Sequence, residues 1–489
     1  MLTSLPFVIL FCVAAVGLLL ALPQMIRKPG RYLRSVLVVL LVAIIQVLAV
    51  GLLVNLPMQY VSTPSELWQM VSSQQNRQVK ISDTQRGSKI AAKKSGKADK
   101  RVSAASEKLN PLTAPALPGQ EEWIPSFKPL SKGRQLTVFS GPKSGVKEQV
   151  IVWTPQGYDP GDKSTTYNVL EFIHGYPGSP VSVALALDFS NNLQKAIDSG
   201  EIAPTIVVIP EGNVDLKAPT CADVKNGAQT ATWLSFDVPK MVRSSFPNVS
   251  DKRKDWMIAG NSSGAYCGAR LGILYGDVFG TSAVLSGYDQ PIVGSWGGKN
   301  STGFRDNTLS VLVGQERPWP VSMYVSGARL DKDSLHLAKS FSQASFRPGD
   351  RVQLRITPKG GHNWAIWREQ MPELYRWWEQ VRSSDSPKTS QVKGVDSALL
   401  PDTAPGVFSL MGWGTMVLAG VVAVLALVVL IRRVPKVMKA GTRATYLRAL
   451  AGSIVAMLLV IVAVMLPINR LGEFYTSLAE IVQTLTGAG

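Results

Sequence analysis

The chain has 489 residues and a formal net charge of +17, enough for one large domain plus accessory segments. With three cysteines and three histidines, and no CxxC or HExxH spacing among them, most metal-centred and Cys/His schemes are excluded. The basic excess suggests nucleic acid at first, but it gathers in two short loops between apolar runs and in one linker, so no nucleic-acid partner is expected.

Residues 5–23 and 36–56 are apolar, with Arg27, Lys28, Arg31 and Arg34 between them. Residues 407–431 and 449–467 form a second apolar pair around Arg432, Arg433, Lys436, Lys439, Arg443 and Arg448. Each run is long enough to cross a bilayer as a helix. The first run has no basic residue ahead of it, the wrong flank for a cleaved signal peptide. Four spans are expected, with the basic loops on the cytoplasmic side. Residues 57–76 contain no Lys or Arg, and residues 387–406 contain only Lys388 and Lys393. Both termini and the central domain are therefore expected outside the cytoplasm, in a multi-pass protein of the cell membrane.

Residues 77–110 are rich in Lys, Arg, Ser and Ala and read as a basic, disordered linker. The expected organisation is a transmembrane helix pair at 1–60, an extracytoplasmic linker at 61–119 and a catalytic domain at 120–383. A second linker at 384–405 then leads to a helix pair and tail at 406–489.

Within the domain, residues 134–140 and 147–154 read as an entering strand pair. Residues 168–173, 205–209, 255–259, 281–285, 320–326 and 351–358 are short apolar runs that suit strands buried on both faces. Helical stretches fall between several of them, and 365–381 reads as a closing helix. The fold class is α/β, with a mostly parallel sheet.

The run 255–259 leads into Gly260-Asn261-Ser262-Ser263-Gly264, and a helical pattern follows. Strand, G-x-S-x-G and helix in that order make a nucleophile elbow, in which a strained turn lifts the serine above the sheet edge. A serine nucleophile needs a base, an acid that orients it and an oxyanion hole. Of the histidines after Ser262, His362 lies in a turn, Gly360-Gly361-His362-Asn363-Trp364, whereas His336 reads as a helical surface residue. His362 is the expected base. The acid is expected in the turn Gly327–Asp333, where Asp331 is preferred and Asp333 stays an alternative; either would also suit a helix N-cap. His174-Gly175-Tyr176-Pro177-Gly178 follows a strand and reads as an oxyanion loop. The N–H of Tyr176 would join that of Ser263 on the oxyanion, with His174 itself structural.

Cys12 falls in an expected span, so Cys221 and Cys267 are the only pair in the outer domain and are expected to form a disulfide. Residues 287–319 are too long and too rich in Gly and Pro for a simple connection. A lid over the site is expected there, anchored by Trp296 and Trp319.

His174-Gly-Tyr-Pro-Gly178, Gly260-Asn-Ser-Ser-Gly264 with Ala265-Tyr-Cys-Gly268, and Gly361-His-Asn-Trp364 with Trp367-Arg368 resemble the esterase-D/mycolyltransferase family of actinobacterial α/β-hydrolase esterases. The resemblance covers roughly residues 120–382. It implies an acyl-enzyme mechanism on acyl esters, often of cell-envelope lipids, without metal or cofactor, with Ser262 as nucleophile, His362 as base and Asp331 as acid. The added membrane helices depart from the soluble secreted members. The expectation is a membrane-anchored, extracytoplasmic serine esterase or acyltransferase acting on envelope lipid esters. Its alternatives are an aminoacyl-phospholipid ester hydrolase and, from another class, an inactive membrane scaffold.

Overall fold

The computed structural model describes residues 4–28, 32–58, 110–112, 121–214, 221–291, 299–385, 387–394 and 404–486. Nearly all of the basic linker and Trp296 lie outside these residues. The chain forms two compact units, Met1–Leu67 with Thr403–Glu480, and Trp68–Asp402 with Ile481–Gly489.

The first unit holds four helices long and apolar enough to cross a membrane: Leu5–Met25, Tyr32–Asn55, Trp413–Ala440 and Arg443–Leu471. At about 1.5 Å of rise per residue each is long enough to cross a hydrocarbon layer of about 30 Å. The third begins at Trp413, six residues after the apolar run does, because 407–412 fold into a turn whose last residue, Gly412, is the N-cap. Leu22, Val39, Val42, Ala43, Leu430, Ala449 and Ala456 are buried where the helices meet, whereas Leu10, Leu33, Val424 and Leu458 are exposed. Small residues at the seam let the backbones approach, which is how helices associate when lipid removes the hydrophobic drive between them. Side chains also reach across: Gln46 Nε2 donates to Ala15 O at 2.8 Å and the Tyr446 hydroxyl to Leu20 O at 2.8 Å.

The second unit is built on a ten-stranded sheet. Its strands are β1 (Lys128–Pro129), β2 (Arg134–Ser140), β3 (Lys147–Trp153), β4 (Asn168–Ile173), β5 (Thr205–Pro210), β6 (Trp256–Asn261), β7 (Thr281–Leu285), β8 (Ser322–Ala328), β9 (Arg351–Thr357) and β10 (Gln391–Gly394). Their order is β1-β2-β3-β5-β4-β6-β7-β8-β9-β10. The pairs from β1 to β5 are antiparallel and those from β5 onward parallel. β10 arises from a stretch expected as linker: Gln391–Gly394 adds a parallel edge strand on β9. Its side chains are exposed, so nothing apolar marks it in the sequence.

β4, β5, β6 and β7 are buried along their whole length, as strands covered by helices on both faces must be. On one face Val169, Ile173, Val208 and Ile258 pack with Cys267 and Leu271 of the helix Ser263–Leu274. On the other, Phe172 meets Phe189 edge-on at 6.2 Å, and Tyr324 meets Trp377 of the helix Trp364–Arg382. A fully buried side chain of this size contributes about 1.5–3 kcal/mol. Two-sided burial of the central strands leaves their ends, not their faces, as the places where loops gather.

The lid expected at 287–319 is only partly borne on by described residues, since 292–298 lie outside them. Thr302–Asp306 and Leu309–Leu312 form short helices, and Leu309, Leu312 and Val313 bury against Ala265, Ala269 and Ile273 on the flank of Ser263–Leu274. Trp319 is not an anchor over the serine. It stands beside Gly276 and under the Arg253 guanidinium, 5.3 Å from its ring centroid, where β6 begins, at the opposite end of the sheet from Ser262. Pro320, which starts the approach to β8, holds it there, with its carbonyl accepting from Arg253.

Cys221 and Cys267 face each other with their Cα atoms 5.4 Å apart, within the range a disulfide spans. Peptide mapping without reduction is expected to recover the two as one linked peptide, and reduction to cost about 2–4 kcal/mol of stability. Free, alkylatable thiols at both positions in the native protein would contradict the pairing.

Candidate active site

Ser262 stands between β6 and the helix Ser263–Leu274 with φ 55° and ψ −122°. A non-glycine residue in such a region costs about 1–3 kcal/mol and persists only where its surroundings over-determine it. Here they do. The Ser262 N–H donates to Leu285 O on β7 at 3.0 Å, and Ser262 O accepts from the N–H groups of Ala265 and Tyr266 at 3.0 and 3.2 Å. Gly264 is the second constraint. A Cβ at this position would lie 2.1 Å from Ile173 O and 2.5 Å from His174 O, so only glycine lets the first helical turn rest on the end of β4. That contact brings the His174–Gly178 loop alongside the serine. A Cβ on Gly175 would sit 3.0 Å from Ser262 Cβ. Ser263 is the first residue of the helix, so its N–H has no partner within the helix and lies at the positive end of the helix dipole.

Asp331 follows β8 and serves two purposes at once. It caps the helix Lys332–Gln343, with Oδ1 accepting from Ser334 N at 3.3 Å, while Oδ2 lies 3.0 Å from His362 Nδ1. Asp331 is 2% exposed. Burial would raise its pKa, but the His362 imidazole, then Ser286 and the Ser334 N–H, outweigh burial and hold the carboxyl below its ordinary value. His362 sits in the turn after β9. Gly360, at φ +99°, takes a conformation that L side chains rarely adopt, and Leu330 N donates to Gly360 O at 3.3 Å. The acid turn and the histidine turn are thus tied backbone to backbone. Trp367 packs edge-on against the His362 ring at 5.1 Å.

The alternatives lie elsewhere. Asp333 and His336 are exposed on the helix Lys332–Gln343; of the two acids, Asp331 is the one facing His362. Tyr176 is half-buried in the loop beside Ser262. Among the described residues no group of three His, Cys, Asp or Glu could hold a metal ion.

Two residues were not anticipated. Ser286 follows β7, which lies between β6 and β8. It is fully buried with φ 53°, and it helps to keep Asp331 ionised. Glu211, at the end of β5, meets His174. Both follow the C-terminal end of a central strand, the edge where ligands bind in open α/β sheets; that position was the one signal available for them.

The depressed pKa of Asp331 carries a sign. A carboxyl held lower in the folded state than in the unfolded chain adds stability above its unfolded value, about pH 4, and loses it as pH falls through the folded value. The melting temperature is therefore expected to fall more steeply below about pH 4 in the native protein than in Asp331→Asn. Parallel melting curves against pH would contradict this electrostatic account.

Residues 143–377 match the family model described as "Putative esterase". A curated relative, an uncharacterized protein of Corynebacterium glutamicum, is 24% identical over 226 residues, which are 43% of this chain and 52% of that protein. The chain thus spans about half the length of the curated relative that it matches. Solved structures similar to this chain include a ferulic acid esterase, 18% identical, covering 51% of this chain and 98% of that one with a TM-score of 0.41. The fluorophosphonate-binding serine hydrolase F of Staphylococcus aureus is 16% identical, over 50% and 97% of the two chains, with a TM-score of 0.40. An S-formylglutathione hydrolase from Agrobacterium tumefaciens is 13% identical, over 52% and 98%, with a TM-score of 0.40. The family match spans the elbow, the acid turn and the histidine turn, so the central domain, with the mostly parallel sheet of an α/β-hydrolase, is similar to the esterase family over residues 143–377.

Proposed function

We propose that this protein cleaves or transfers acyl groups of envelope lipid esters at an extracytoplasmic site, with Ser262, His362 and Asp331 as its catalytic triad. The observation that carries the reading is the 3.0 Å approach of Asp331 Oδ2 to His362 Nδ1, in an esterase domain whose elbow presents Ser262 at the same sheet edge. Asp331 would hold the imidazole in the tautomer with its proton on Nδ1, leaving Nε2 to take the proton from Ser262 Oγ. The oxygen attacks the ester carbonyl carbon, and the N–H groups of Tyr176 and Ser263 receive the charge that develops on the carbonyl oxygen. Collapse breaks the ester C–O bond, and His362 returns the proton to the departing alkoxide. Water or an alcohol then attacks the acyl-enzyme by the reverse sequence.

The lipid assignment draws on the four apolar helices, which would hold the domain where an interfacial ester is in reach. The basic residues between paired helices support an orientation with those loops in the cytoplasm and the esterase domain outside.

Purified full-length protein in detergent, assayed against p-nitrophenyl esters and extracted envelope lipids, tests the reading. Lipid presented in micelles is expected to be the better substrate. Ser262→Ala and His362→Ala should each cost about 10⁴-fold or more in kcat, because members of such a unit fail together. Asp331→Asn should cost less than either and Asp333→Asn almost nothing. Full activity in Ser262→Ala would overturn the mechanism, and a preference for the soluble ester would overturn the lipid assignment alone.

Protease added to intact spheroplasts should digest the domain 120–383. Survival of that domain until the membrane is opened would reverse the orientation.

A further inference from the structure

His174 opens the loop beside Ser262, yet the residue is only 1% exposed and its ring is turned into the protein. Its Nδ1 lies 2.8 Å from Gly175 O, and its Nε2 lies 2.7 Å from Glu211 Oε1. Donors also approach: the Gly212 N–H at 3.1 Å from Nε2 and Asn213 Nδ2 at 3.4 Å from Nδ1. Each ring nitrogen nevertheless has an oxygen acceptor nearer than any donor. The ring therefore donates from both nitrogens, one proton to a carbonyl and one to a carboxylate. The directions of the shifts agree. Burial alone would lower the imidazole pKa, but Glu211 and Gly175 O outweigh it and raise it. Burial would raise that of Glu211, but His174 and the backbone N–H groups of Asn213 and Gly212 bring it below its ordinary value.

Two buried charges are a costly way to stabilise a fold, since desolvation offsets much of their attraction. What this pair does fix is the direction of one peptide. Among the described residues only the Tyr176–Pro177 bond is cis, so the Gly175–Tyr176 unit is trans and planar, and its C=O and N–H point in opposite directions. Holding Gly175 O from the protein side turns the Tyr176 N–H the other way. Gly178 closes the same corner. A Cβ there would lie 2.6 Å from Gly175 O and 3.3 Å from His174 Nδ1, so any side chain would push the carbonyl off the ring. Glu211 in turn keeps the proton on Nε2 and the ring plane in place, and its own Oε1 accepts from Asn213 N at 2.9 Å.

We infer that His174 and Glu211 are positioning residues for the esterase reaction: through Gly175 O they aim the Tyr176 N–H at the oxyanion. The inference rests on the proposed role of Tyr176 as an oxyanion donor. A donor aimed at charge that exists only in the transition state acts on kcat and leaves KM alone.

The test uses full-length protein in detergent with p-nitrophenyl butyrate, and an alkylboronic acid as a tetrahedral analogue on Ser262. Asparagine can place its side-chain amide nitrogen near the position of Nδ1 and still donate to Gly175 O. Glutamine extends toward Glu211 and leaves Gly175 O unheld. His174→Gln is expected to lose about 100-fold in kcat, the scale of one lost oxyanion donor, with KM within about threefold and boronate affinity falling in step with kcat/KM. His174→Asn should recover about tenfold or more of that loss, as a restored hold on the carbonyl requires. Glu211→Gln, which keeps the ring and its packing, should lose about tenfold in kcat, and it decides by the same split of kcat from KM if His174→Gln does not fold. A kcat within twofold of the native value in the variant that decides, equal losses in the Asn and Gln variants, or a loss confined to KM would each overturn the inference. An inactive Ser262→Ala beside a fully active His174→Gln would remove the positioning role alone, whereas an active Ser262→Ala would remove the serine mechanism on which it rests.

Discussion

The backbone contact between the first turn of the helix Ser263–Leu274 and the end of β4 sets up everything else at the site. With Ile173 O 2.1 Å and His174 O 2.5 Å from where a Cβ of Gly264 would stand, the helix can lie there only because that Cβ is missing. The contact fixes Ser262 in its unfavourable backbone conformation, places the helix N-terminus under the serine, and sets the loop from His174 beside it. β4, β6 and β7 are covered on both faces by helices, so the strain at Ser262 is carried by a core that does not yield. Against the 1–3 kcal/mol or so that such a conformation costs, a few fully buried side chains of about 1.5–3 kcal/mol each suffice.

The polar groups of the site follow the same geometry. Asp331, His362 and Ser286 come from the ends of β8, β9 and β7, and His174 and Glu211 from the ends of β4 and β5. Two histidine–carboxylate pairs thus flank the serine, and they differ in exposure. His362 keeps 20% of its side chain open, which the proposed proton transfer requires, whereas that of His174 is sealed at 0%. The first pair is suited to moving a proton during turnover and the second to keeping one in place.

Much of this was legible in the sequence because the central strands are buried on both faces, and continuous apolar runs such as 168–173 and 281–285 have few other readings. The elbow and the Gly360-Gly361-His362 turn were legible because their glycines are demanded by backbone geometry. β10 was not, since its exposed residues take part through backbone hydrogen bonds alone. Trp319 misled because a tryptophan in a long Gly- and Pro-rich connection suits a lid as well as a packing site, and only the fold shows that it lies near Arg253. Ser286 and Glu211 escaped notice because a place just after a strand, which many residues share, is all that marks them. Their roles exist only once distant strands are laid side by side.

The central claim is that Ser262 attacks the ester. Full-length protein treated with a fluorophosphonate, digested and mapped by mass spectrometry tests it most directly. The account predicts one adduct, on the hydroxyl of Ser262, and its loss when Asp331 and His362 are both replaced. An adduct on another residue, or none in protein that still cleaves esters, would contradict it.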